Sequence, residues 1–164
     1  MKIEDLLLKT DIDGLSSESF FAAQDSLQEA ELIGIRADAI FSKVGVLFDM
    51  RTSLQMRNVD AVLVSAYSLV DMKYSPSHRV ARRSAWPVMS SKLAQSEDIF
   101  LFDCTFSPEL DLHLRAYSIS FHALRIPGLP SVPPDYVEGS DEKIIDENPG
   151  WGSGAELIFS ESYG

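Results

Sequence analysis

Ala61-Val62-Leu63-Val64-Ser65-Ala66-Tyr67-Ser68-Leu69-Val70 is the stretch whose reading decides the fold. β-Branched and aromatic residues dominate it, and no proline or glycine interrupts it, as a central strand requires. On its N-terminal side Asn58-Val59-Asp60 marks a break, and before that Val44-Gly45-Val46-Leu47-Phe48-Asp49-Met50-Arg51 reads as another strand with a less clean alternation. Ser42-Lys43 is a turn into that strand from Leu32 to Phe41, where Ile33, Ile35, Ala37 and Ala39 lie on one side, opposite Arg36 and Asp38. This two-residue repeat predicts a half-buried strand.

On the C-terminal side, Tyr74 to Ser91 is polar, contains Pro76 and Pro87, and reads as a long loop or irregular edge. Two further strands are expected at Asp98 to Phe106 and Leu110 to Leu124, separated by Ser107-Pro108-Glu109. Residues 16–31 contain many helix formers, with Ser16 or Ser17 as cap and Phe20, Ala23, Leu27 and Ala30 at helical spacing, which predicts a helix. Successive strands without crossover helices predict antiparallel pairing. The expected fold is therefore α+β: a curved antiparallel meander over about 32–125 with the N-terminal helix against it, and a small open barrel as the nearest alternative.

The 164 residues amount to one domain, 45% hydrophobic and 24% charged, with a net charge of −11. The charge is uneven: residues 1–31 carry −6, 32–126 carry +2 and 127–164 carry −7. An acidic chain of this kind lacks the clustered cations that nucleic acid demands. No run approaches the ~18 apolar residues of a membrane span, and the acidic N-terminal stretch is unlike a signal peptide. The single cysteine, Cys104, sits in an apolar run and reads as a small buried hydrophobe, which with the rest predicts a cytoplasmic setting.

Five of the eight prolines and six of the nine glycines follow residue 126. Ile126-Pro127-Gly128-Leu129-Pro130-Ser131-Val132-Pro133-Pro134-Asp135-Tyr136 should be extended, because each proline fixes its own φ and disfavours helix before it. With apolar residues spaced along it, this Pro/Gly-rich tail reads as a strap over the domain. A short helix is expected at Asp141 to Asn148 and an edge strand at Ala155 to Phe159, while Trp151 is either an anchor or a partner contact.

No phosphate-binding loop, dinucleotide turn or zinc-hydrolase helix occurs, and no cofactor or metal is expected. The weak catalytic candidates are Asp111, His113 and Arg115, which strand periodicity places on one face. The same pattern arises on any wet sheet face. His113 and His122 are read as facing each other across a hairpin, too few ligands for zinc. His78-Arg79-Val80-Ala81-Arg82-Arg83 forms the basic patch.

The run Val46-Leu47-Phe48-Asp49-Met50-Arg51-Thr52, with Asn58, Ala61 to Val64, Ala85-Trp86, Pro127-Gly128-Leu129-Pro130 and Pro133-Pro134-Asp135, resembles an uncharacterised family of small acidic bacterial proteins. In size, acidity and make-up the chain is similar in kind to immunity proteins of polymorphic toxin systems. That likeness implies a non-enzymatic inhibitor with a protein partner, a basic toxin domain. Its contacts are expected at Asp135, Glu138, Asp141, Glu142, Asp146, Glu147 and Trp151. Two other readings stand beside it. One is a small-molecule binder or hydrolase with Asp111, His113 and Arg115, or Asp49 and Arg51, inside a cup; the other is a homodimer through an exposed strand edge such as Ala61 to Val70.

Overall fold

The computed structural model describes residues 1–9, 19–76 and 83–164. Among the described residues seven strands form one antiparallel sheet: β1 (Glu31–Asp38), β2 (Lys43–Asp49), β3 (Ala61–Pro76), β4 (Val88–Ser96), β5 (Ile99–Phe106), β6 (Leu110–Arg125) and β7 (Glu156–Tyr163). The helices among the described residues are α1 (Ile3–Leu8) and α2 (Asp141–Asp146), six residues each. The fold is therefore essentially all-β, which overturns the α+β expectation.

The expected helix at 16–31 is the main reason for that correction. Residues 16–18 lie outside the described residues, and 19–30 form successive turns. Asp25 and Glu29 adopt φ of 59° and 65°, values no right-handed helix contains. Their N–H groups donate outward, to Ser91 O at 2.8 Å and Val88 O at 2.9 Å, instead of to a preceding turn. Phe20 and Phe21 N–H likewise donate to the buried Glu161 carboxylate, at 2.6 and 2.9 Å. The apolar side chains still go inward, but through turns that seat Phe21, Leu27 and Ala30 in the core.

The strand order is β1-β2-β3-β6-β5-β4, with β7 also on β6, so the sheet departs from a simple meander. β3 and β6, sixteen residues each, pair along their whole length. β2 flanks the first half of β3, ending at Lys43 opposite Tyr67, and β7 flanks the matching half of β6. β5 flanks the remaining half of β6, from Leu110 to Ala116. Between the halves the ladder bends: Ser68 has φ 52°, the register slips between Leu69 and Asp71, and inward residues on β6 pass from Ala116 to Ile119. Bulges of this kind bend a strand and increase its twist.

The bend rolls the sheet until its two edges meet. Leu32 N–H donates to Trp86 O at 3.0 Å and Val88 N–H to Ala30 O at 2.7 Å, so the start of β1 touches the start of β4. The segment expected as loop from Tyr74 to Ser91 thus contains the end of β3 and the beginning of β4. Inside the roll lie alternate residues: Val44, Val46 and Phe48; Val62, Val64 and Ala66; Phe102, Cys104 and Phe106; Leu112, Leu114, Phe121 and Ala123.

A second cluster covers the outside of β2, the first half of β3 and the end of β6. Leu47, Leu63 and Leu124 pack there against Ile3 and Leu6 of α1 and against Ile126, Trp151 and Ala155 of the tail. With both faces covered, every residue of β2 is buried, which is why its sequence shows no clean alternation. The close approach has a sequence signature: a Cβ on Gly45 would meet Leu7 Cδ1 at 2.9 Å and Trp151 Cη2 at 3.2 Å.

Candidate functional site

Asp49, the last residue of β2, and Arg51 just beyond it organise the tail. Their side chains are 0% and 3% exposed and form a two-pronged ion pair, with Arg51 Nε to Asp49 Oδ1 at 2.9 Å and Nη2 to Oδ2 at 2.7 Å. Arg51 Nη1 donates to Pro130 O at 2.8 Å and Val132 O at 3.2 Å, and Nη2 to Asn148 Oδ1 at 3.1 Å. A proline-rich segment supplies carbonyl acceptors but few N–H donors, so it cannot extend a sheet by ladder pairing. A planar guanidinium with five donors matches that need.

Tyr136 adds a second fastening. Its hydroxyl donates to Asn148 Oδ1 at 3.0 Å and lies 3.4 Å from Glu31 Oε2. Burial, opposed in part by the Asn148 contact, raises the Tyr136 phenol to about 12. Burial, then the nearby Asp49 carboxylate, raises Glu31 as well. These groups belong to a closed structural network, so Asp49 and Arg51 do not line a cup for substrate.

From Asp135 onward the fastened tail turns its acids outward. Asp135 Oδ1 accepts N–H from Val137 at 2.9 Å and Glu138 at 3.0 Å, and these bonds hold its carboxyl below the usual range. Ser140 caps α2 by accepting Lys143 N–H at 3.2 Å, and Asp141 and Glu142 occupy the first turn, where the helix dipole favours acids. Asp135, Glu138, Asp141, Glu142 and Asp146 are exposed, while Glu147 is half-buried with Lys143 Nζ 3.9 Å away. Val137 and Ile145, each 72% exposed, lie among them. Trp151 is different: it packs in the outer cluster under Arg36, whose guanidinium lies 5.8 Å from the ring centre, so it is an anchor and not an outward contact.

Asp111, His113 and Arg115 do share a face, but it is the wet outer face of the second half of β6. His113 Nδ1 is 2.6 Å from Asp103 Oδ1 across to β5, with the imidazole 39% exposed. Lys73 stands opposite His113 on β3 and Asp71 opposite Arg115, giving mixed charge on a stretch of sheet whose Asp71, Lys73 and Arg115 are exposed. His122, expected opposite His113, lies further along the same strand on the covered outer face. It is 1% exposed, Nδ1 is 2.9 Å from Ser160 Oγ, and Nε2 has no hydrogen-bond partner among the described residues. Burial lowers its pKa to about 4. Cys104 is buried with its thiol pushed well above the ordinary value, which leaves it unreactive. Of the basic patch, 78–82 lie outside the described residues, and Arg83 Nη1 pairs with Asp141 Oδ1 at 2.8 Å.

Periodicity did not flag a groove of about 660 Å³ between β1, the far end of β3 and the strap. Leu32 to Ile35, Met72, Tyr74, Trp86, Tyr136 and Ile144 line it. Its walls come from elements distant in sequence, so no local pattern announces it; a third of its signal, the uncharged run Leu32-Ile33-Gly34-Ile35, is visible only as half of a strand. Among the described residues no group of three or more His, Cys, Asp or Glu is placed to hold a metal ion, and no helix is long and apolar enough to cross a membrane.

No family model and no curated protein matches the chain. Among solved structures it is similar to an uncharacterized protein from Neisseria gonorrhoeae, at 9% identity over 57% of this chain and 90% of that one, with a TM-score of 0.41. A likeness this loose carries no argument.

Proposed function

We propose that this is a non-catalytic binding protein of the cytoplasm, an immunity-type inhibitor that neutralises a basic bacterial toxin domain through the acidic face of its strap. The observation that carries the reading is the combination on one segment of five exposed acids, Asp135, Glu138, Asp141, Glu142 and Asp146, with exposed Val137 and Ile145. The segment is fastened from beneath by the buried Asp49–Arg51 pair and by Tyr136. An anchored segment loses little conformational freedom on binding, and its negative field steers a basic partner. The solvent-facing position of His113 and Arg115 and the full engagement of Asp49 and Arg51 favour this reading over a hydrolytic cup.

The test is co-expression with the product of the adjacent gene, followed by purification and a growth-protection assay. The expected result is a co-purifying pair whose association slows by about tenfold or more when Asp141, Glu142 and Asp146 are all changed to Lys. A well-behaved protein that captures no neighbour product and protects against none would sink the proposal.

A further inference from the structure

A second groove, of about 510 Å³, lies where residues 126–129, the end of α2 and the approach to β7 meet. Buried Ile126 and Ala155 and half-buried Leu129 give it an apolar lining. The fold holds these walls in place. Ile126 N–H donates to Asp60 Oδ2 at 2.7 Å, Leu129 N–H to Ile126 O at 3.1 Å, and Ala155 N–H to Met1 O at 2.7 Å. Asn148, also in the lining, spends its Oδ1 on Arg51 and Tyr136, so the strap side is tied to the body through the buried ion pair. A site fixed before binding loses little freedom when it is filled. All the lining residues belong to the described stretches 1–9 and 83–164.

The charged side chains in this lining are both carboxylates, Asp146 at the end of α2 and Glu156 at the start of β7. Both are exposed, and among the described residues neither makes an ion pair or a side-chain hydrogen bond. The nearest candidates to neutralise them are otherwise placed: Lys143 stands beside Glu147, and exposed Arg125, opposite Glu156 on β6, forms no ion pair with it. Asp146 also sits where the helix dipole disfavours a negative charge, so the helix does not account for it. An apolar lining with free carboxylates at two sides matches a side chain that is apolar along its stem and cationic at its tip. Gly154 leaves room for it, since a Cβ there would meet nothing within 4 Å.

We infer that this groove is the receptor for one arginine side chain of the protein partner. The inference rests on the protein-binding reading above and names the point at which the partner is gripped. The arginine stem lies on Ile126, Leu129 and Ala155, and its guanidinium, with five donors, meets Asp146 and Glu156. Asp146 belongs to the acidic face of the strap as well, so the groove is continuous with that surface. A long-range field draws a basic partner in, and a single anchored arginine then fixes its position.

The probe is the capped tripeptide Ala-Arg-Ala, titrated into the intact nitrogen-labelled protein. The expected result is saturable amide shifts centred on Leu129, Asn148, Ala155 and Glu156. The same peptide with citrulline in place of arginine keeps the shape but loses the charge, and is expected to bind about fivefold or more weakly. Asp146→Asn combined with Glu156→Gln should weaken the arginine peptide by a similar factor. Gly154→Leu, which fills the groove and leaves both carboxylates in place, should abolish the saturable shifts while the rest of the spectrum stays unchanged. Equal binding of the citrulline peptide, shifts centred elsewhere, no saturable shifts, or full binding by the Gly154→Leu protein would each overturn the arginine site. Capture of a neighbour product that survives Gly154→Leu would overturn it too, while leaving the acidic-face reading standing. Conversely, peptide binding as expected beside no capture of any neighbour product would strike the inhibitor reading and spare the groove.

Discussion

The two halves of the β3–β6 ladder are built from one continuous pair of strands yet have different surroundings. In the first half, Ala61 to Ala66 and Ile119 to Leu124 are buried without interruption, because the inner core packs on one face and α1 with the tail on the other. In the second half, burial alternates residue by residue along Leu110 to Ala116, and Lys73, His113 and Arg115 meet water. The lesson is that a strand's sequence reports how many of its faces are covered, and not merely that it is a strand. The two histidines of β6 show the consequence: His122 is buried in the covered half, His113 sits in the wet half beside Asp103.

The comparison breaks most severely if the cover of the first half is released. Arg51→Met removes the cation that pairs with fully buried Asp49 and ties Pro130, Val132 and Asn148 to the body. Denaturant unfolding should show a loss of about 3–5 kcal/mol, the cost of leaving a buried charge uncompensated. A loss below about 1 kcal/mol would mean that the strap is held mainly by its apolar contacts.

Acid should act next, through His122 in the covered half. His122 is lowered from 6.5 to about 4 by burial, so the unfolded chain takes up its proton first as pH falls. Its contribution is complete above pH 6.5 and is lost as pH drops toward 4. This amounts to about 3 kcal/mol at most, read as a fall in unfolding free energy across that window. His122→Leu should flatten that part of the profile, and an unchanged profile would remove His122 as its source.

The smallest effect is expected in the wet half. His113→Ala breaks a contact to Asp103 between partly exposed groups and should change stability by less than about 1 kcal/mol. A larger change would show that the outer face of the second half is covered by something that protects it from water.

The same contrast explains what was legible beforehand. The wet half of β6 is legible by alternation, with Asp111, His113 and Arg115 on one face. β2 was blurred because cover on both faces erases alternation, and the ends flanking Pro76 and Val88 were hidden because polar residues there join the ladder through their main chains. The helical pattern at 16–31 misled because periodicity counts apolar spacing but is blind to donors such as Asp25 and Glu29 that find partners on β4. For the candidate site, the acids of the tail were readable as charge, whereas Arg51 as their fastening was not.

By itself, the sequence determined that most of residues 32–125 extends as strands, and that its acidity concentrates at the two ends. These are local properties, set by side-chain shape, proline geometry and residue counts. Only the tertiary structure decided that β6 lies between β3 and both β5 and β7, that one half of the sheet is covered twice, and that the acidic tail is bolted down. Those outcomes depend on contacts between residues far apart in the chain, chosen by which arrangement buries the most apolar surface while buried charges are paired or hydrogen-bonded.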